Sequence, residues 1–242
     1  MKVALIKIVG WMMLVAMVVL ITAESYIANR NSKDANKSLL SNDPSETGTY
    51  LKNKTLDREL SSNEISRIKQ YSKDYGIDYR IILSIIKQES QFDSTAVSER
   101  GATGLMQMMP MTHAEMNEAL DLDSLEVTSD NIQAGIYYFS KLYNLFSNIK
   151  GEDRLCFSLA AYNAGPSRIY DAQEIAAYMG ENPNKWTVIE NILPLLSKRY
   201  YSLHQEVWGE PKPRNGYFGS WRQTVKYVQN ITNTYKNLNR TE

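Results

Sequence analysis

The stretch RIILSIIKQESQF, residues 80–92, puts a glutamate on the apolar side of a predicted helix. Ile82, Ile85 and Ile86 recur at the i, i+3 and i+4 spacing of an α-helix, and Glu89 follows at i+7. A glutamate is rarely buried without a partner, because desolvation disfavours its charged form. Either the helix ends at Glu89 and the carboxylate reaches water, or the carboxylate is held where its pKa is raised.

Helical patterns continue on both sides of this stretch, from Ser61 nearly to the C-terminus. Ser61 and Glu64 have the spacing of a capping box, and Asp78 is a suitable N-cap for the helix that carries Glu89. Pro110 is predicted to open a helix, and Pro194 to interrupt one. No run of alternating apolar and polar residues favours a large sheet, so the sequence predicts a mainly α domain.

Two glycine-containing segments indicate how the helices end and pack. The helix in DRLCFSLAAYNAGP is predicted to stop at Gly165 and Pro166. Gly135 lies within the helix predicted for SDNIQAGIYYFSKLYNLF, where a residue without a side chain indicates close contact with another helix.

The composition excludes several classes of function. The 242 residues carry a formal net charge of +0, so no overall basic field indicates binding to nucleic acid. Cys156 is the only cysteine and lies in an apolar helical pattern, which makes it a core residue. His113 and His204 lack the spacing of metal ligands. We therefore expect neither a metal site nor a cofactor.

The N-terminus indicates export through a membrane. Residues 1–23 contain Lys2 and Lys7 and then an apolar run of about 16 residues, short for the roughly 20 residues of a spanning helix. We interpret the segment as a transmembrane anchor, with a cleaved signal peptide as the alternative. The lysines predict that the N-terminus stays inside and the rest of the chain is exported. Residues 24–60 are polar and are predicted to form a flexible linker.

Four segments together resemble the lytic transglycosylases. QES at residues 88–90, GATGLMQMMP at 101–110, AAYNAG at 160–165 and VKYV at 225–228 have the order and spacing of that family. The stretch from Asp171 to Tyr201 further resembles the catalytic domain of membrane-bound lytic transglycosylases of type F. The resemblance implies a single catalytic domain over residues 61–238, with the lysozyme-like fold of this family, behind the N-terminal membrane segment.

The resemblance also implies roles for individual residues. Glu89 matches the catalytic acid. Gln223 stands where the family often has a glutamate, which leaves the electrostatic role of that position open. The positions that the resemblance assigns to binding of the glycan are Ser98, Gln107, Met109, Tyr162, Asn163 and Tyr227.

The position of Glu89 fits the chemistry that the family implies. An acid that protonates a leaving oxygen must stay protonated near neutral pH, and apolar surroundings raise a glutamate pKa toward about 6–7. The implied substrate is the peptidoglycan glycan strand, cleaved between N-acetylmuramic acid and N-acetylglucosamine without water to leave a 1,6-anhydro end. The expected location is the periplasmic side of a bacterial inner membrane.

Two other functions are compatible with the same residues. A lysozyme-type muramidase would use Asp93 or Glu99 as a second carboxylate to activate water. We interpret both as solvated loop charges. A wall-binding module would bind the glycan without cutting it, and Gln223 is the feature that favours it. Met106 and Met108 are expected to fill the core.

Overall fold

The computed structural model describes residues 60–122 and 127–240, with the side chains from 131 onward in the second range. The predicted anchor, residues 1–23, and nearly all of the predicted linker lie outside these ranges. Within the described ranges no helix is long and apolar enough to cross a membrane. The described helices belong to one unit that spans Thr55–Glu242.

Helices dominate this unit, as the sequence predicts. The α-helices of the described part are α1 Ser62–Asp74, α2 Tyr79–Ser90, α3 Pro110–Leu120, α4 Val127–Leu145, α5 Gly151–Ala164, α6 Pro166–Tyr178, α7 Trp186–Ile192, α8 Tyr201–Trp208 and α9 Trp221–Asn239. Two short 3₁₀ turns, Leu193–Leu196 and Lys198–Tyr200, join α7 to α8. Extended pairing among the described residues is limited to isolated bridges that join Thr103 to Val97 and to Met108.

Helix α5 forms the centre of the packing. Every residue from Leu155 to Ala161 is buried, and α5 packs against α4, α6 and α9. A helix that is apolar on all sides belongs in the interior, because no face of it is suited to water. Cys156 is buried there, and burial raises the pKa of its thiol to about 12. The prediction that it is a core residue is confirmed.

Three predicted helix starts are confirmed. The Ser61 hydroxyl accepts from the backbone N–H of Glu64, whose carboxylate accepts in return from the Ser61 N–H at 2.7 Å. Asp78 accepts from the backbone N–H of Arg80 and caps α2. Pro110 opens α3. These contacts satisfy N–H groups that have no partner inside the helix.

Two expectations about helix ends and packing need refinement. Gly165 ends α5 as predicted, but Pro166 opens α6 and does not merely terminate the preceding helix. Gly135 does make a close contact, but its neighbour is a loop side chain and not a helix. A Cβ at this position would lie 2.5 Å from the Met106 sulfur. The sequence reveals that the position must be small, whereas what faces it depends on the fold.

Candidate active site

Glu89 lies at the C-terminal end of α2. The helix ends one residue later, at Ser90, because Gln91 adopts a left-handed conformation with φ of 52°. The carboxylate is nevertheless largely removed from water. Burial raises the pKa of Glu89 from 4.5 to about 7, although a hydrogen bond from Tyr227 acts in the opposite direction. Both alternatives for this residue therefore hold in part: the helix ends here, and the carboxyl group is still desolvated enough to retain a proton near neutral pH.

Tyr227 reaches Glu89 from the last helix. Helix α9 packs along α2, and the Tyr227 hydroxyl donates to Oε1 of Glu89 at 2.6 Å. Tyr227 is only 5% exposed. Burial, together with the nearby Glu89 charge, raises the pKa of this phenol well above 10, so it stays a donor. Because Tyr227 occupies Oε1, the other oxygen, Oε2, is the one left to carry a transferable proton.

The loop that joins α2 to α3 is held by its own side chains. Gln107, with φ of 47°, donates from Nε2 to the carbonyl oxygens of Ala96 at 3.0 Å and Gly104 at 2.9 Å. The Ser98 hydroxyl accepts from the backbone N–H of Ala102 at 3.0 Å. Gly104 also has a positive φ, of 76°, a turn conformation that glycine adopts without steric cost. Ser98 and Gln107 thus both brace this loop.

Tyr162 connects the loop to the central helix. Its hydroxyl donates to the carbonyl oxygen of Met106 at 2.8 Å, and its ring lies 5.5 Å from that of Tyr138. Burial is the main cause that raises the pKa of Tyr162 well above 10, and the charge of Glu89 adds to it. A charged Glu89 therefore disfavours ionisation of Tyr162, whose hydroxyl stays protonated and is bonded to the backbone in this structure.

Asn131 is a residue of this region that the sequence analysis missed. It is 2% exposed on α4. Its Nδ2 donates to the carbonyl oxygen of Thr103 at 2.9 Å, and its Oδ1 accepts from the Met106 N–H at 3.2 Å. A Cβ on Gly104 would lie 2.6 Å from the Asn131 side chain. The signal was available, because Asn131 precedes Gly135 by one helical turn and so is a polar residue on the buried face.

The remaining motif residues lie in different environments. Asn163, at the end of α5, accepts through Oδ1 from the Thr224 hydroxyl of α9 at 2.7 Å. Met109 is 44% exposed, whereas Met106 and Met108 are buried, as expected for core residues. Gln223 is exposed. Asn163 therefore ties the AYNAG motif to the helix that carries Tyr227.

The two candidate second carboxylates are exposed. Asp93 accepts from the backbone N–H and the hydroxyl of Thr95 at 2.8 and 2.7 Å, and these hydrogen bonds lower its pKa. Glu99 is also exposed. Their interpretation as solvated loop charges is confirmed. Among the side chains that the structure describes, no group of three or more His, Cys, Asp or Glu could hold a metal ion.

Comparisons with known proteins identify the family. The family model described as Transglycosylase SLT domain matches residues 66–184. A membrane-bound lytic murein transglycosylase F from Desulfosudis oleivorans is 35% identical over 69% of this chain and 34% of its own length. A membrane-bound lytic murein transglycosylase F 1 from Alkalilimnicola ehrlichii is 36% identical over 71% of this chain and 32% of its own length.

This chain thus spans about a third of the length of these curated relatives. Among solved structures, the 70-kDa soluble lytic transglycosylase of Escherichia coli is 24% identical, with a TM-score of 0.49, over 74% of this chain and 24% of that one. The family match and the curated relatives confirm the resemblance drawn from the four motifs. The chain carries a transglycosylase SLT domain and belongs with the lytic transglycosylases.

Proposed function

We propose that this protein is a peptidoglycan lytic transglycosylase with Glu89 as its acid. It cleaves the β-1,4 bond between N-acetylmuramic acid and N-acetylglucosamine and leaves a 1,6-anhydro end. The single observation that carries the proposal is the buried carboxyl group of Glu89, whose pKa is raised to about 7. A carboxylic acid that keeps its proton near neutral pH can protonate a leaving oxygen.

The reaction needs only one carboxyl group. Glu89 transfers its proton to the bridging oxygen, the bond from that oxygen to C1 of the muramyl residue breaks, and N-acetylglucosamine leaves with a free 4-hydroxyl. The acetamido oxygen of the muramyl residue shares the positive charge at C1. Glu89, now a carboxylate, takes the proton of the 6-hydroxyl as that oxygen attacks C1. The acid is thereby reprotonated and no water is consumed.

The roles that we propose for the other motif residues follow from their surroundings. Tyr227 holds one oxygen of Glu89, so it positions the acid and does not itself need to contact the sugar. Met109 is the exposed member of its loop and is assigned to the sugar surface. Ser98, Gln107, Tyr162 and Asn163 shape the glycan groove around the acid.

The wider setting belongs to the same proposal. Residues 61–238 form the catalytic domain with the lysozyme-like fold, residues 24–60 are its linker, and residues 1–23 anchor it to the inner membrane with the domain in the periplasm. The curated relatives are named as membrane-bound murein enzymes, which supports an envelope location. The partners are then the glycan strands of peptidoglycan and the membrane itself.

The test is mass spectrometry of the soluble products that the full chain releases from purified peptidoglycan sacculi. We expect 1,6-anhydromuramic ends from the unmodified chain and none from Glu89→Gln. The double variant Asp93→Asn, Glu99→Gln is the matched control, and we expect it to release the same anhydro products. Reducing ends that disappear in this double variant would identify a muramidase. A folded chain that binds sacculi and releases nothing would identify a binding module.

A further inference from the structure

A second groove lies apart from the residues of the candidate active site. It has a volume of about 620 Å³, within the size range of ligand sites. One face of α6 forms one wall, and the segment between α8 and α9 forms another. The lining residues on which the inference rests are Ser167, Tyr170, Asp171, Glu174, Arg214 and Asn215. None of the residues that surround Glu89 lines this groove.

Hydrogen bonds between the two walls hold the groove in shape. Asp171 is 1% exposed and accepts from the backbone N–H of Asn215 at 3.0 Å and from its Nδ2 at 2.9 Å. Glu174 accepts from the indole N–H of Trp208 at 2.5 Å and lies 3.2 Å from Nε of Arg214. Both carboxylates therefore already have donors inside the protein. A preorganised wall lowers the entropy cost of binding, because these side chains need not be ordered by the ligand.

The groups that remain available are an aromatic ring and neutral or basic donors. Tyr170 is 40% exposed, and its ring makes a tilted contact with that of Phe146, with 5.9 Å between the ring centroids. Within the described part of the chain, the hydroxyls of Tyr170 and Ser167 make no hydrogen bond, and Arg214 keeps further N–H groups beyond the one near Glu174. A fixed ring bordered by unused donors can bind a flat ligand that is apolar on its face and polar at its edge.

We infer that this groove is a second saccharide site, which takes a neutral N-acetylated pyranose unit of the glycan with its apolar face on Tyr170. The two carboxylates outnumber the one guanidinium, so an uncharged ring is favoured over an anionic ligand. The choice of an N-acetylated sugar rests on the proposed function. A strand bound here and at Glu89 stays attached between cleavage events, because the second contact acts as an intramolecular one.

The experiment uses the full chain with Glu89→Gln, so that no ligand is cut, and chitotetraose as the probe. Hydrogen-exchange mass spectrometry should reveal ligand-induced protection of peptides covering 166–178 and 209–219. We expect Tyr170→Ala to raise at least tenfold the chitotetraose concentration that gives half-maximal protection. Tyr201→Ala, which changes an exposed tyrosine outside the groove, is the matched control and should leave it unchanged. Ala177→Trp, which fills the groove, should abolish it.

Three outcomes would overturn the inference. The first is protection confined to peptides around Glu89 and the 101–109 loop. The second is unchanged protection in both Tyr170→Ala and Ala177→Trp. The third is protection of this groove by a free stem peptide and not by chitotetraose, which would make the ligand a peptide. A chain that releases no products from sacculi but binds chitotetraose here would refute the proposed function alone.

Discussion

Each end of α2 has a carboxyl group that accepts a hydrogen bond from a tyrosine hydroxyl, but the pKa values of the two carboxyl groups are shifted in opposite directions. At the N-terminal end, Asp78 accepts from the hydroxyl of Tyr235 at 3.0 Å. At the C-terminal end, Glu89 accepts from the hydroxyl of Tyr227 at 2.6 Å. Both tyrosines belong to α9, which packs along α2. Yet the pKa of Asp78 is lowered, whereas that of Glu89 is raised to about 7.

Arg80, with its hydrogen bonds and its positive charge, accounts for the difference between the pKa shifts at the two ends. Burial alone would raise the pKa of Asp78, but the hydrogen bonds and charge of Arg80, together with the hydrogen bond from Tyr235, outweigh it. Arg80 lies 2.8 Å from Asp78. At Glu89, the hydrogen bond from Tyr227 opposes burial and is outweighed by it. A tyrosine hydroxyl therefore does not decide the protonation of a neighbouring carboxyl group; the balance of desolvation and positive charge does.

The largest effect that separates the two ends is on catalysis. Glu89→Gln removes the proton donor, and we expect release of soluble fragments from sacculi to fall by about 10²–10⁴-fold. Asp78→Asn should leave the rate within about twofold under conditions where both variants are folded, because Asp78 lies at the opposite end of α2. Rates of fragment release from sacculi measure both. A comparable loss in Asp78→Asn would mean that α2 as a whole, and not the acid, limits the reaction.

The second effect is on the pH dependence of stability. The pKa of Glu89 is higher in the folded chain, about 7, than its ordinary value of 4.5, so the folded state binds the proton more tightly. The stabilisation is complete below about pH 4.5 and is lost as the pH rises through about 7. Relative to the unmodified chain, Glu89→Gln should gain stability over this window, on the order of 3 kcal/mol.

Urea unfolding at pH 4.5 and pH 8 measures this gain as the change in the free-energy difference between variant and unmodified chain. A difference that is the same at both pH values would contradict the raised pKa of Glu89.

The third effect is that of the two tyrosine hydroxyls that donate to Glu89 and Asp78. Tyr227→Phe removes the donor that favours the carboxylate form of Glu89, so the pKa of Glu89 should rise further. The pH at which cleavage is lost on the alkaline side should then move upward, with a cost in stability of about 1–2 kcal/mol. Tyr235→Phe removes the equivalent hydroxyl at Asp78 and should leave that pH limit in place. Equal shifts in the two variants would argue against a specific role for Tyr227.

The smallest effect is the contribution of the Asp78 charge. The pKa of Asp78 is lowered in the folded chain, so its charge stabilises the fold above the ordinary pKa of 3.8. This stabilisation is lost as the pH falls through the pKa that Asp78 has in the folded chain. Asp78→Asn should therefore destabilise the chain by about 0.5–1 kcal/mol at pH 7 and by less below pH 3. Thermal unfolding at both pH values measures it. A loss that grows in acid would reverse the sign assigned to Asp78.

Much of the fold can be predicted because its signals are local. The capping box of Ser61 and Glu64, the N-cap at Asp78 and the proline that opens α3 each involve residues within one helical turn of one another. The predicted contact at Gly135 was right about the need for a small residue and wrong about its neighbour. Met106 comes from a loop nearly thirty residues away, and no periodicity relates the two positions.

In the candidate site, too, some features could be predicted from the sequence and others depend on distant contacts. The position of Glu89 on the isoleucine stripe predicts a desolvated acid, and the raised pKa agrees with it. The surroundings of Asn131 and the hydrogen bond between Thr224 and Asn163 could not be predicted, because they depend on how α4 and α9 pack against distant segments. The assignments of Ser98, Gln107, Met109, Tyr162, Asn163 and Tyr227 to glycan binding stay predictions, and for Tyr227 the role that we propose instead is to position the acid.

The sequence by itself determined the mainly helical fold, several helix starts and the presence of an acid on an apolar stripe, because helical period and capping are properties of neighbouring residues. Only the tertiary structure decided how that acid is held. Tyr227 is 138 residues away from Glu89 along the chain, and the packing of α9 on α2 brings its hydroxyl to Oε1. The same packing removes the carboxyl group from water, and among the described residues no arginine lowers its pKa as Arg80 lowers that of Asp78, so the pKa of Glu89 lies at about 7.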